Sequence, residues 1–160
     1  LYRCFVDRVA GSSKVNQPSW TYKPLSQMSP KEGGLICGGW GKCCLHKLED
    51  DDTGAIFDTN VACYLLDETS CQCGDYQNRL TLAPNCFKLT PQNMAGQSWL
   101  PSTCAYRLLY EGSPLPRWHH LVSGNTKSIH SSGISAQGKI ISEHDVRQDE
   151  MEDHIVQWVS

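Results

Sequence analysis

The sequence predicts a small, irregular α+β domain organised around a cysteine cluster, and three observations predict it. Eight of the nine cysteines fall between positions 37 and 104 of the 160 residues. A hairpin pattern, "LHKLEDDDTGAIFDTNVACYLL", runs through the middle of that stretch. Around it, helix-start signals and Gly/Pro punctuation follow each other too quickly for long elements.

Residues 1–17 read as a polar N-terminal arm, because "GSSKVNQPS" is turn-rich, and residues 18–160 form the cysteine-rich domain. "SPKE" (Ser29–Glu32) opens the first helix. Ser29 is placed to accept from the amide of Glu32, Pro30 suits the first helical position, and Glu32 can bond back. Gly33 and Gly34 each cost about 1 kcal/mol against Ala in a helix, so the helix is short and delivers the chain to Cys37. Next come two strands rich in β-branched and aromatic residues, joined by the acidic turn Glu49–Gly54, with Cys44 at the entry and Cys63 near the exit. "TSCQCGDYQNR" is a loop, and "LTPQNMAGQSWLP" repeats the helix-start signal with Thr90 as cap and Pro91 after it. "STCAYRLLYEG" is a helix capped by Ser102 or Thr103 and stopped by Gly112. "SPLPRWHHLVSGN" is irregular, and "GISAQGKIISEHDV" supplies two short strands around Gly138. The tail "DEMEDHIVQWV" closes the chain as an amphipathic helix, with Met151, Ile155, Trp158 and Val159 on one face.

Charge and hydropathy narrow the function. The net charge is −3, and the 14 basic residues are scattered, which leaves no footprint for nucleic acid. No apolar run approaches the ~20 residues that cross a bilayer, so no membrane partner is expected. The opening residues lack the apolar stretch of a secretory leader, which points to the cytoplasm. Thiols there are kept reduced, so metal ligation is favoured over a disulfide framework or simple packing.

Thiolates hold zinc or iron when several converge, with zinc–sulfur bonds of about 2.3 Å. In "CGGWGKCC" (37–44), Cys37 and Cys43 are spaced more widely than a C-x2-C turn, and the adjacent Cys43 and Cys44 should diverge, serving different sites or leaving one of them buried and idle. Cys71 and Cys73, two apart in an extended segment, should point the same way. Cys63, Cys86 and Cys104 lie on separate elements and must arrive through the fold. Cys4, alone in the arm, reads as a small hydrophobe.

The runs "CCLHKLEDDDTGAIFDTNVACYLLDETSCQCGDYQNR", "PNCFKLTPQN", "WLPSTCAYRLLYEGSPLPRWHHLVSG" and "EDHIVQW" closely resemble the YcgN-like bacterial proteins of the YkgJ-type CxxCxxCC family of zinc- or iron-chelating domains. The resemblance spans about residues 18–158. It implies metal-ligand candidacy for Cys37, Cys43, Cys44, Cys63, Cys71, Cys73, Cys86 and Cys104, and a cofactor that is zinc or an iron–sulfur cluster. It supplies no reaction. The family motif C-D-G-C-G-x-C-C maps onto residues 37–44, with Trp40 standing where the second cysteine belongs. An indole ligates no metal, and His46 is the nearest replacement. The expected function is thus a metal-binding protein whose thiolates hold one or two centres. The alternative is a metalloenzyme or oxidoreductase using an open position at the incomplete site.

Other residues read more plainly. Glu49–Asp52 lack the calcium-loop pattern and form a solvated turn. His119 and His120, as neighbours, should diverge into surface or hydrogen-bonded roles, and His154 should pack at the core edge. Tyr76 and Arg79 follow the Cys71–Cys73 pair, either as hydrogen-bond donors to a cluster or anion or as structural residues.

Overall fold

The computed structural model describes residues 18–158. The expected polar arm, with Cys4, and Val159 of the tail lie outside the described residues. Helices and strands are short and mixed, as the α+β expectation required.

Helix α1 (Pro30–Ile36) forms where the capping signal placed it. Ser29 Oγ accepts from the Glu32 amide at 3.2 Å, and the Glu32 carboxylate accepts from the Ser29 amide at 2.8 Å. Lys23 adds an ion pair at 2.8 Å and, with the Ser29 bonds, holds the Glu32 carboxyl down at about 2. The helix ends at Cys37, its C-cap.

The hairpin follows as β1 (Leu45–Glu49) and β2 (Ile56–Ala62), antiparallel, with Leu45 opposite Ala62 and Glu49 opposite Ile56. The register slips between Leu45 and Lys47, so the His46 carbonyl loses its ladder partner. Buried Thr59 restores it, its hydroxyl donating at 2.8 Å. At the base of the hairpin the Cys63 amide donates to the Cys44 carbonyl at 2.9 Å, so the two cysteines stand side by side. The acidic turn folds on itself, with Asp50 Oδ1 accepting from the Asp52 and Thr53 amides and the Thr53 hydroxyl.

Beyond β2, the strands β3 (Leu66–Asp67) and β4 (Gln72–Cys73) make a separate two-stranded ladder, and β4 lies within the stretch read as loop. Helix α2 (Arg79–Leu82) was also unforeseen. No helix follows Thr90. There the Asn93 side chain accepts from the Thr90 amide at 2.7 Å and donates to the Lys88 carbonyl, while Gly96 at φ +77° turns the chain away. Helix α3 (Ala105–Tyr110) is present, but Cys104, rather than Ser102 or Thr103, is its N-cap. Helices α4 (His120–Ser123) and α5 (Ser128–Ser131) come next. Only one strand forms near Gly138, β5 (Ile141–Ser142), parallel to β2, which gives the sheet order β1-β2-β5.

The closing segment corrects the expectation of an amphipathic α-helix. Gln148–His154 is a 3₁₀ helix burying Met151, and Ile155 is exposed and bridges to Thr59. With about three residues per turn rather than 3.6, the four-residue spacing of Met151 and Ile155 no longer shares a face. Among the described residues no helix is long and apolar enough to cross a membrane.

Two cores meet at the motif. The larger gathers Leu25, Met28, Ile36, Trp40, Cys43, Leu100, Cys104 and Tyr106, and the smaller Cys44, Leu45, Ala62, Leu66, Cys71 and Ala136.

Candidate metal centre

The motif turns sharply between α1 and β1. Gly41 sits at φ +80°, and a Cβ there would lie 3.2 Å from Cys71 Cβ and 3.3 Å from its sulfur. Only glycine serves both needs. The 3₁₀ turn Lys42–Cys44 then buries both neighbouring thiols but sends them apart, Cys43 into the larger core and Cys44 into the smaller, beside Cys71.

Cys43 is joined by Cys37 from the end of α1 and Cys104 from the start of α3. Cys43 and Cys104 share a hydrogen bond. That bond is the largest influence holding the Cys43 thiol below its usual value, against burial and the neighbouring Cys37 charge. The same bond, with burial, pushes Cys104 well up, so Cys104 keeps the proton. Trp40 completes this group: its side chain hydrogen-bonds to Cys43 and favours the thiolate, its ring stacks on Trp118 at 6.3 Å, and it is 3% exposed. Its indole N–H is the donor, since tryptophan offers no other.

Cys63 after β2, Cys73 on β4 and Cys86 beyond α2 lie within electrostatic reach of one another. Burial pushes the Cys63 thiol up, and the charges of Glu143, Cys73 and Cys86 add to the rise. Burial likewise raises Cys86, opposed by the charge of Arg79 and a hydrogen bond from it. Alternation does not align Cys71 with Cys73, because Cys71 takes a left-handed φ of 53° and packs against Gly41 and Cys44 instead.

None of the eight described cysteines is in a disulfide. Among the described residues no group of three or more His, Cys, Asp or Glu side chains is arranged so as to hold a metal ion. The fit is therefore one of donor chemistry alone: unbridged cysteine sulfurs are soft ligands suited to zinc or iron. The thiols are reached through two clefts that share His46 and Asn85. One, of about 610 Å³, borders Cys43, and the other, of about 320 Å³, borders Cys63, Tyr64, Glu143 and His144.

His46 does not take the place left by Trp40. Its Nε2 pairs with Glu143 at 2.7 Å, and the other Glu143 oxygen accepts from the Tyr64 amide at 2.8 Å. The paired histidines take the hydrogen-bonded roles expected of them, but the expected divergence is corrected. Rather than diverging, His119 and His120 lie 4.5 Å apart and reach the carbonyls of Ile36 and Leu35 at 2.7 and 3.1 Å, tying α4 to the end of α1 just before Cys37. His154 Nδ1 pairs with Asn60 at 3.0 Å at the edge of the sheet. Lys42 was missed: it is 1% exposed, with its ammonium 5.4 Å from both the Trp40 and Trp158 ring centres. Burial brings it down to about 8. Its position between Gly41 and two cysteines was the available signal, although nothing local announced Trp158.

Comparison with known proteins places the chain in a family. A family profile described as "CxxCxxCC: Putative zinc- or iron-chelating domain" matches residues 36–105, a segment containing all eight of these cysteines. The chain is 54% identical over 137 residues to a UPF0260 protein of Mesorhizobium japonicum, covering 85% of this chain and 93% of the relative. To a UPF0260 protein of Pseudomonas putida it is 49% identical over 141 residues, 88% of this chain and 95% of the relative. For one from Cellvibrio japonicus the figures are 50% over 140 residues, 88% and 95%. No solved structure matches. The chain belongs to the UPF0260 family, and its residues 36–105 match the CxxCxxCC domain profile.

Proposed function

We propose that this protein binds metal through cysteine thiolates, holding zinc, iron or an iron–sulfur cluster at one or two centres. Cys37, Cys43 and Cys104 serve one group and Cys63, Cys73 and Cys86 the other, with Cys44 and Cys71 completing the ligand pool. The observation that carries this reading is the gathering of thiols from five separate parts of the chain, none of them bridged, in a family described as zinc- or iron-chelating. Ligation would draw these thiols in and couple metal binding to folding, typically worth about 10–16 kcal/mol for a structural zinc. The reducing cytoplasm suits such a protein. The metal is its partner, and the net charge of −3 argues against nucleic acid.

The test is purification without oxygen, followed by elemental analysis and an absorption spectrum. Bound zinc without colour, or iron with a visible absorption band, is the expected result, and Cys43→Ser and Cys73→Ser should each lower the metal content. A folded protein containing neither metal overturns the proposal. A metalloenzyme reading draws on one specific observation, the His46–Glu143 pair beside the cleft that reaches Cys63. Were a metal held by Cys63 with a position left open, that pair would stand in the same cleft as a candidate for moving a proton.

A further inference from the structure

The closing segment is fastened lightly to a well-buried face. Of residues 148–158, Met151 alone is buried, and Ile155 is 42% exposed. Its ties to β2 fall on consecutive residues. His154 Nδ1 pairs with the Asn60 side chain at 3.0 Å, the Val156 amide donates to the Asp58 carbonyl at 2.9 Å, and the Trp158 indole donates to the Thr59 carbonyl at 3.3 Å. Trp158 packs on the smaller core, which contains Cys44 and Cys71, and its ring centre lies 5.4 Å from the Lys42 ammonium. In that core Cys71 is 1% exposed and Cys44 7%. The two clefts described above border Cys43 and Cys63 instead. Segments with few buried contacts and solvent-facing hydrogen bonds open while the rest of a fold stays closed.

We propose that residues 155–158 form a strap that gates Cys44 and Cys71, with Trp158 as its latch on Lys42. In the closed state the indole ring meets a buried ammonium, a contact that favours closure by a factor of roughly 5–30 when sheltered from water. The indole N–H bond to Thr59 adds to it. Opening lifts the ring from Lys42 and releases the ties to Asp58 and Thr59. The 3₁₀ helix stays seated through Met151, and the pairing of β1 with β2 is untouched. A solute small enough to enter then reaches two sulfurs that neither cleft borders. The gate acts on any reagent or ion that seeks these sulfurs, so it stands apart from the metal-binding reading.

Iodoacetamide labelling of the full-length chain, reduced and held with a chelator, tests the gate when each cysteine is followed separately by peptide mass spectrometry. Comparing each thiol with itself across variants cancels differences in intrinsic reactivity. Trp158→Ala should label Cys44 and Cys71 roughly 10–100-fold faster than wild type. Cys104, buried in the larger core, should keep its wild-type rate. Val156→Pro removes the amide that ties to Asp58 but leaves the latch ring in place, and should raise the same two rates by less. Unchanged rates at Cys44 and Cys71 in folded Trp158→Ala overturn the gate; where that variant does not fold, unchanged rates in Val156→Pro do so. An equal rise at Cys104 also overturns it, since the whole fold has then loosened. The chelator is present throughout, so whether the protein holds zinc or iron is decided separately, by the elemental analysis above.

Discussion

Lowering the pH from about 7.5 to about 5 should weaken this fold through one side chain, His119. The ring is 1% exposed, and its two nitrogens are spoken for in opposite senses. Nε2 faces the Ile36 carbonyl at 2.7 Å, which can only accept, so Nε2 carries the proton. Nδ1 receives the Leu121 amide at 3.2 Å, so Nδ1 is bare. Protonation would set a second N–H against that amide. Burial first, and then the neighbouring His120, bring His119 down from 6.5 to about 4. Because the folded value lies below the unfolded one, the unfolded chain takes up its proton first as pH falls. The stabilisation is whole above the unfolded value and is lost progressively down to about 4. At pH 5 the loss is about 2 kcal/mol, and in full it is about 3 kcal/mol. Burial shifts His120 and His130 in the same direction, so wild type alone would mix three contributions. His119→Gln supplies an amide donor for Ile36 that does not titrate, and the comparison isolates the ring. Urea unfolding followed by tryptophan fluorescence at the two pH values is the assay. Wild type should lose about 2 kcal/mol more than His119→Gln. Equal losses would refute the assignment of a neutral, doubly bonded ring.

Two other substitutions probe the motif itself. Gly41→Ala forces a side chain into a left-handed φ and against Cys71, and should cost about 1–3 kcal/mol in urea unfolding; an unchanged midpoint would show that the turn relaxes freely. Trp40→Cys restores the family cysteine but empties a packed site beside Trp118, so the metal-free protein should lose about 3 kcal/mol while a metal-loaded sample resists chelation longer. Unaltered retention would remove position 40 from the ligand geometry.

Elements whose signals are local were legible in the sequence. The Ser29–Glu32 box, the hairpin around the acidic turn and the stop at Gly112 each depend on residues a few positions apart, and each formed. The divergence of Cys43 and Cys44 was readable for the same reason, since adjacent side chains on a tight turn must part. Failures arose where distant partners overrode local preference. Thr90 and Pro91 offer a helix start, but Asn93 claims the Thr90 amide, and Pro91 packs so closely on Gly33 that a Cβ there would lie 2.6 Å from its ring. His119 and His120 turn the same way because two carbonyls at the end of α1 await them, 83 and 85 positions away. The pairing of Cys104 with Cys43 was beyond reach for this reason too, since the two meet only once the helices have packed.

The tail carries a consequence for how the molecule comes together. The Val156 amide docks on the Asp58 carbonyl at 2.9 Å, and the Trp158 indole reaches the Thr59 carbonyl at 3.3 Å, 99 positions back. Trp158 then packs over the Lys42 ammonium at 5.4 Å, as Trp40 does. A contact closing so long a loop is entropically expensive and tends to form late. The sulfur-bearing turn is therefore sealed by residues that lie far downstream of it, and during biosynthesis it stays open until they have been made.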